Sequence, residues 1–197
     1  MHSKSFDHYV PVTAQPIKIV VLGPFAVGKT TFVSTVSEIQ PMHTEERMTH
    51  AGQLIDNLDD LRGKTTTTVA MDFGRLTLSQ NIVLYLFGAP GQPRFRSMVR
   101  SLMEGALGGL VLLDTRRIAE SFDAIDQLED AALPYTVAVN TFDSAPCYRE
   151  EDLRDSLDIP AHRPLVTLDA RHLSSAKQGL ISLVNHILDR SRMEHAR

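Results

Sequence analysis

The sequence predicts an α/β domain with an open, doubly wound sheet of six mostly parallel strands, one antiparallel strand at its edge, and helices on both faces. Strand-like apolar runs alternate with helical stretches, a glycine-rich motif joins the first strand to the first helix, and polar residues follow the strands. The 197 residues, 43% of them hydrophobic, suffice for one well-buried domain. We expect this domain at 17–192, with flexible ends at 1–16 and 193–197.

The elements are predicted from periodicity along the chain. Apolar runs or period-two alternation predict strands at residues 17–22, 65–78, 82–87, 107–114, 135–140 and 164–168. The polar residues at 79–81 predict a hairpin between the second and third strands. Loosely helical spacing at 40–64 predicts at most one short helix, and a final amphipathic helix begins at Ser174 or Ser175.

Residues 23–30 read Gly-Pro-Phe-Ala-Val-Gly-Lys-Thr and fit the pattern G-x-x-x-x-G-K-[ST] between a strand and a helix. In such P-loops the backbone N–H groups surround phosphates, the lysine adds positive charge, and the threonine hydroxyl binds Mg²⁺. An incidental glycine-rich turn is disfavoured by the flanking strand and helix. The motif predicts a nucleoside phosphate bound through Gly23, Phe25, Ala26, Val27, Gly28, Lys29, Thr30 and Thr31.

Charge and composition narrow the classes of partner. A net charge of −4 with a pI near 6.0 lacks the basic excess typical of nucleic-acid binding. A single cysteine, Cys147, excludes an internal disulfide and fits a reducing compartment. No apolar run is long enough to span a bilayer. We expect a cytoplasmic protein that does not insert into the membrane and reaches it, if at all, through partners.

Three segments that follow strands carry further motifs. Residues 88–92 read Gly-Ala-Pro-Gly-Gln, 140–143 read Asn-Thr-Phe-Asp, and 169–171 read Asp-Ala-Arg. With the P-loop, these segments match the order and spacing of the Ras-like small GTPases, which the chain resembles over the whole domain. The segment Thr-Thr-Val-Ala-Met-Asp-Phe-Gly at 67–74 most closely resembles the corresponding segment of a bacterial branch of this family. That branch contains the MglA-type polarity GTPases and the GTP-binding proteins of actinobacterial conservon operons.

The resemblance implies that residues 140–143 and 169–171 recognise guanine. Asn140 and Asp143 match the base-reading loop, in which the aspartate accepts hydrogen bonds from two guanine N–H groups that adenine lacks. Leaving such a carboxylate unpaired costs about 2–4 kcal/mol, which corresponds to a few hundredfold preference for GTP. Asp169, Ala170 and Arg171 match the final base loop, with the Ala170 N–H on the guanine oxygen and Arg171 over the base. An alternative role for Asn140 and Asp143 is to cap the next helix. The Ser-Ala-Lys at 175–177 could also serve as the final base loop, but we reject that alternative because it lies within the last helix.

For the terminal phosphate, the resemblance implies three further residues. Thr68 aligns with the switch threonine that binds Mg²⁺ in the GTP state, although 65–67 are also threonines and a β-branched run is good strand material. Gly91 would donate its N–H to the γ-phosphate. Gln92 would orient the attacking water, and its alternative is an ordinary surface turn. The catalytic pair is thus Gln92 and Lys29.

The chain departs from the family pattern at two positions. Gly88 stands where the family has an aspartate that supports Mg²⁺, and Asp72 can substitute only if the hairpin brings it close, so the sequence favours a solvent role for Asp72. Phe25 stands where a glycine leaves room for an inserted arginine, which predicts slow turnover, because losing that charge lowers the rate by about 10³–10⁵. Candidates for an arginine from the chain itself are Arg94, Arg96 and Arg100.

Together these residues predict a GTP- and Mg²⁺-dependent molecular switch, slow alone and regulated by partners. The resemblance implies a roadblock-domain regulator and a membrane-bound sensor kinase system as those partners. Two alternatives remain open. One is a pseudo-GTPase that binds without effective turnover, and the other is an ATP-using P-loop enzyme such as a kinase.

Overall fold

A computed structural model of the protein describes residues 14–48 and 67–195. Its helices are α1 Lys29–Val36, α2 Arg96–Met103, α3 Phe122–Asp130, α4 Glu150–Leu157 and α5 Leu173–His195, with single 3₁₀ turns at Pro93–Phe95 and Ile118–Ser121. Its strands are β1 Gln15–Leu22, β2 Met42–Met48, β3 Thr67–Ser79, β4 Ile82–Gly88, β5 Gly108–Leu113, β6 Tyr135–Asn140 and β7 Leu165–Leu168.

The seven strands form one sheet in the order β2-β3-β4-β1-β5-β6-β7. Strand β3 runs antiparallel to both of its neighbours, and the pairs from β4 to β7 are parallel. The predicted fold class is confirmed. Within the described residues the sheet has seven strands rather than the predicted six, because β2 pairs with the antiparallel strand that was expected at the edge. The spacing of residues 40–64 had predicted at most one short helix instead of β2. An edge strand is held by backbone pairing and needs no apolar pattern, so the sequence carried no signal for β2.

Two hydrophobic cores cover the faces of the sheet. In β1, Ile19 and Val21 point into the core with α1 and α5, whereas Val20 and Leu22 point into the core with α2, α3 and α4. This alternation follows the period of two along a strand. Strands β5 and β6 are buried along their whole length, as expected for central parallel strands between two helical layers.

The ends of the domain differ slightly from the predicted limits. Strand β1 begins at Gln15, and α5 continues to His195, so residues 193–195 of the predicted tail are helical. Residues 1–13, 49–66, 196 and 197 lie outside the described part, so the predictions for them stay predictions. Within the described part, no helix combines the length and the apolar character that crossing a membrane requires.

Candidate functional site: a nucleotide-binding edge of the sheet

The candidate site lies at the carboxyl edge of the parallel strands. The P-loop follows β1, residues 89–92 follow β4, Asp114 follows β5, residues 141–143 follow β6, and residues 169–171 follow β7. In open α/β sheets this edge is where ligands bind. The fold therefore gathers at one edge the segments that the sequence had singled out.

The two motif glycines of the P-loop are required by geometry. Gly23 and Gly28 have φ angles of 135° and 103°, which side chains rarely adopt. A β-carbon at Gly23 would lie 2.4 Å from the Leu112 carbonyl oxygen, and one at Gly28 would lie 2.7 Å from Asn140 Nδ2. Helix α1 begins directly after Gly28, so its N-terminal N–H groups and positive dipole end face the loop. This is the arrangement that binds phosphate.

The Lys29 ammonium group lies inside the P-loop. Its Nζ donates hydrogen bonds to the carbonyl oxygens of Gly23 at 2.8 Å and Pro24 at 2.7 Å. Burial lowers the pKa of Lys29 to about 8, and the nearby negative charge of Asp72 partly opposes that shift. Lys29 is therefore a buried cation at the position where phosphate oxygens are expected.

Thr30, the last residue of the motif, contacts a carboxylate from β3. Its Oγ1 donates a hydrogen bond of 2.7 Å to Oδ2 of Asp72. Asp72 is only 6% exposed, so the solvent role favoured by the sequence is wrong. The pairing of β3 with β4 places Asp72 opposite Gly88, and the hairpin brings the carboxylate to the P-loop.

Asn140 connects the P-loop to residues 169–171, the segment that the sequence predicts to be the final base loop. Its Nδ2 donates to the Val27 carbonyl oxygen at 2.9 Å, and its Oδ1 accepts from the Ala170 N–H at 2.9 Å. The side chain is 4% exposed, so both hydrogen bonds are shielded from water. One side chain at the end of β6 thus holds two loops at fixed positions beside Gly28.

Asp143, Asp169 and Arg171 form an ion-pair cluster at the mouth of the site. Arg171 Nη2 lies 3.1 Å from Asp143 Oδ1 and 2.8 Å from Asp169 Oδ2. Hydrogen bonds from Arg171 hold the pKa of Asp169 well below its usual range. Asp143 itself is 87% exposed. Ser175 lies in the first turn of α5, where its hydroxyl accepts a hydrogen bond from the Asp169 N–H. Residues 175–177 are thus part of the N-terminal end of that helix.

Gly91 packs directly on the P-loop. A β-carbon added there would lie 2.6 Å from the Phe25 nitrogen and 2.7 Å from Lys29 Nζ. Gln92 precedes the Pro93–Phe95 turn and, with Arg96, lines a small cavity beside the P-loop. The structure therefore brings both 91 and 92 to the P-loop.

The three candidate arginines of the segment after Gln92 differ in their positions. Arg96 lines the cavity beside Gln92 and forms an ion pair with Asp123 of α3. Arg94 lies over the ring of Phe95, 4.9 Å from its centroid, and Arg100 is exposed in the last turn of α2. Of the three, Arg96 is the one placed with Gln92.

Sequence reasoning missed one arginine at the P-loop. Arg117 Nη2 donates a 3.0 Å hydrogen bond to the carbonyl oxygen of Phe25 and lies 3.5 Å from the buried carboxylate of Asp114. Hydrogen bonds from Arg116 hold the pKa of Asp114 below its usual range. The buried Asp114 carboxylate therefore holds both arginines in the segment that follows β5. The available signal was the Asp-Thr-Arg-Arg run at the carboxyl end of β5.

The structure does not bring Thr68 to Thr30. Thr68 lies within β3, paired with Arg47, and four positions before Asp72. At about 3.3 Å per residue this separates Thr68 from Asp72 by ~13 Å along the strand. Thr67 also lies in β3, and residues 65 and 66 are outside the described part. The metal role of Thr68 stays a prediction.

Comparison with known proteins supports a Ras-like, GTPase-type P-loop fold with a nucleotide-binding role. The chain is 28% identical over 135 residues to the Ras and EF-hand domain-containing protein of Xenopus tropicalis, covering 64% of this chain and 16% of that protein. It is 30% identical over 132 residues to the Mus musculus homolog, covering 63% and 18%. The chain thus spans less than a fifth of either relative. Residues 21–190 match the family described as "Conserved hypothetical ATP binding protein", and the chain belongs to that family.

Proposed function

We propose that the protein is a GTP-binding and GTP-hydrolysing molecular switch. The observation that carries this proposal is the placement of Asp143, an exposed carboxylate beside Arg171, at the edge where Asn140 joins the P-loop to Ala170. A carboxylate at that position matches the paired N–H donors of guanine. The word Ras in the names of both relatives supports the same base.

Each residue of the P-loop edge has a defined task in this proposal. Lys29 would exchange the carbonyl oxygens of Gly23 and Pro24 for phosphate oxygens, which are better partners for a buried cation. Gly91, already against the loop, would donate its N–H to the γ-phosphate, and Gln92 would orient water for attack.

The site also fits Mg²⁺, which the fold family uses with its nucleotide. The donor chemistry is suitable, because the Thr30 hydroxyl lies beside the buried Asp72 carboxylate, and Mg²⁺ prefers oxygen ligands. Thr30 would hold the ion, with Thr68 as the proposed additional ligand in the GTP state. When bound, the ion offsets negative charge that develops on the phosphates.

Slow intrinsic turnover is part of the proposal. The Phe25 side chain is 63% exposed in the P-loop, where it would obstruct an arginine inserted from a partner. Arg96, which lines the Gln92 cavity, is the candidate arginine within the chain. A partner that breaks its ion pair with Asp123 would release it for the γ-phosphate.

The finer identity and the partners rest on the sequence resemblance. The resemblance of the sequence to the bacterial MglA and conservon branch is the basis for proposing a roadblock-domain regulator and a membrane-bound sensor kinase system as partners. A cytoplasmic location, with recruitment to the membrane through those partners, belongs to the same proposal. Coexpression with a roadblock-domain protein, followed by measurement of phosphate release, tests the regulatory part.

Two other functions have specific support. The description of the matched family names ATP, which favours an adenine nucleotide. Two residues favour a pseudo-GTPase. Gly88 lacks the carboxylate with which the Ras-like family supports Mg²⁺, and Phe25 fills the space that an inserted arginine would use in catalysis.

Titration with a fluorescent GDP, competed by GTP and by ATP, tests the base. We expect GTP to compete a few hundredfold better than ATP, since Asp143 has no partner on adenine. Lys29→Ala should abolish tight binding, and Asp143→Ala should reduce the GTP preference at least tenfold. Asp130→Ala, an exposed aspartate at the end of α3, is the matched control. Equal competition by ATP would refute the guanine assignment.

Single-turnover phosphate release separates a switch from a pseudo-GTPase. A slow rate that Gln92→Leu reduces at least tenfold supports hydrolysis by this site. A rate equal in wild type and Gln92→Leu, with GTP bound, would favour the pseudo-GTPase.

A further inference from the structure

The Asp72 side chain occupies the space that a side chain at position 88 would need. Asp72 and Gly88 are direct partners in the antiparallel pairing of β3 with β4. A β-carbon added at Gly88 would lie 2.9 Å from the β-carbon of Asp72 and 2.9 Å from its Oδ2. Contacts this short are not tolerated, so carboxylates at 72 and 88 exclude each other in this geometry.

A second glycine lets β3 approach the helix that carries Thr30. Asp72, Gly74 and Leu76 share the buried face of β3. A β-carbon at Gly74 would lie 2.8 Å from Val33 Cγ1 in α1. Because β3 packs this closely on α1, the Asp72 carboxylate reaches the first turn of the helix and meets Thr30.

The direction of the hydrogen bond matters for a cation. The Thr30 hydroxyl uses its proton on Asp72, which leaves its oxygen lone pairs for a metal ion. A buried carboxylate that fixes a ligand in this way raises the ligand's basicity and orients it. Asp72 also places a negative charge close enough to affect the buried Lys29.

We propose that Asp72 is the carboxylate that supports Mg²⁺ in this protein, supplied from β3 in place of the family's aspartate at position 88. Gly88 is then part of the same device, because it leaves the space that Asp72 fills. The inference rests on the proposed nucleotide-binding function and extends it to the metal. It removes Gly88 as an argument for a pseudo-GTPase.

The Mg²⁺ dependence of nucleotide release tests the assignment. Release of fluorescent GDP from the full chain is followed over a titration of MgCl₂, for wild type, Asp72→Ala and Asp72→Asn. The half-saturating Mg²⁺ concentration should rise 10- to 100-fold in both variants, the range found for residues that support metal ligands. Asp72→Asn keeps an acceptor for the Thr30 hydroxyl, so a matching loss in both variants identifies the charge as the cause.

Binding in EDTA separates this role from a structural one. Without Mg²⁺, both Asp72 variants should bind GDP at least as tightly as wild type, because a negative charge close to the phosphates is gone. Urea unfolding without nucleotide confirms that each variant folds. Parallel titrations with fluorescent ADP measure the metal dependence even if the base assignment fails, so the two proposals are judged separately.

Exchanging the two residues tests the replacement itself. The double variant Asp72→Gly, Gly88→Asp moves the carboxylate to β4 and avoids the clash of two β-carbons. Its Mg²⁺ dependence should return to within about threefold of wild type. An unchanged Mg²⁺ dependence in Asp72→Ala would overturn the proposal. A folded exchange variant as defective as Asp72→Ala would overturn the claim that 72 replaces 88.

Discussion

Replacing Asn140 with alanine should destabilise the protein before any nucleotide is added. The Asn140 side chain makes two buried hydrogen bonds, one to Val27 in the P-loop and one to Ala170 in the final base loop. Alanine removes both and leaves a buried carbonyl and a buried N–H without this partner. Asn140 thus stabilises the unliganded protein, in addition to its proposed role at the base.

The magnitude follows from the two lost hydrogen bonds. Each contributes about 0.5–1.5 kcal/mol net, and a buried group left unsatisfied costs about 1–3 kcal/mol. Water can enter from the open site and satisfy one of the two groups, so we expect a loss of about 2–4 kcal/mol in the free energy of unfolding. For a domain whose total is about 5–15 kcal/mol, this is a large fraction.

Urea unfolding measured by circular dichroism, without nucleotide, gives the free energies. With a slope of about 2–3 kcal/mol/M, the midpoint should fall by about 0.7–2 M. Thr141→Ala is the matched control, because Thr141 is the next residue, is exposed, and makes one long hydrogen bond of 3.3 Å to Leu168. We expect less than about 0.5 kcal/mol for the control. If Asn140→Ala unfolds at the same urea concentration as wild type, the two loops are not held together by this side chain.

Three further outcomes follow from the charges of the site. Nucleotide binding should take up protons at pH 8.5, because burial lowers the pKa of Lys29 to about 8 in the free protein and the phosphates favour its charged form. Affinity should therefore fall as pH rises above 8. Calorimetry in two buffers measures this, and no uptake would contradict it. Arg117→Ala should speed GDP release about three- to tenfold, because the P-loop loses the hydrogen bond that Arg117 donates to the Phe25 carbonyl oxygen. An unchanged release rate in a chase experiment would contradict this. Arg171→Ala should weaken GDP and ADP binding alike and keep their ratio, because in the proposed binding mode the arginine would cover the base while Asp143 would read it. A changed ratio contradicts this.

The strands and the P-loop could be predicted because their signals are local. A central parallel strand such as β5 is a continuous apolar run, and the P-loop glycines satisfy φ angles that the motif already implies. The placement of Asn140 beside Gly28 also follows, because parallel strands end at the same edge. These features need only the order of elements, and that order is written in the periodicity.

Features that depend on non-local pairing were not predictable. Strand β2 has no apolar alternation to mark it, and its partner lies beyond residues 49–66 in the sequence. The contact of Arg117 with Phe25 spans two loops that meet through the order of β1 and β5 in the sheet. Pairing partners of this kind are determined by the whole fold, so no window along the chain contains them.

The position of Asp72 depends on a single irregularity in the hairpin. Near the turn, Ser79 pairs with Ile82, but from Thr77 onward the register is shifted by one, so that Thr77 pairs with Val83 and Asp72 with Gly88. Without that shift, regular pairing from Ser79 would set Asp72 opposite Ala89. A one-residue change of register also reverses the face on which paired side chains meet. The register shift therefore determines that β3 supplies the carboxylate, from Asp72. Glycine at position 88, directly opposite Asp72, is the residue type that this register requires.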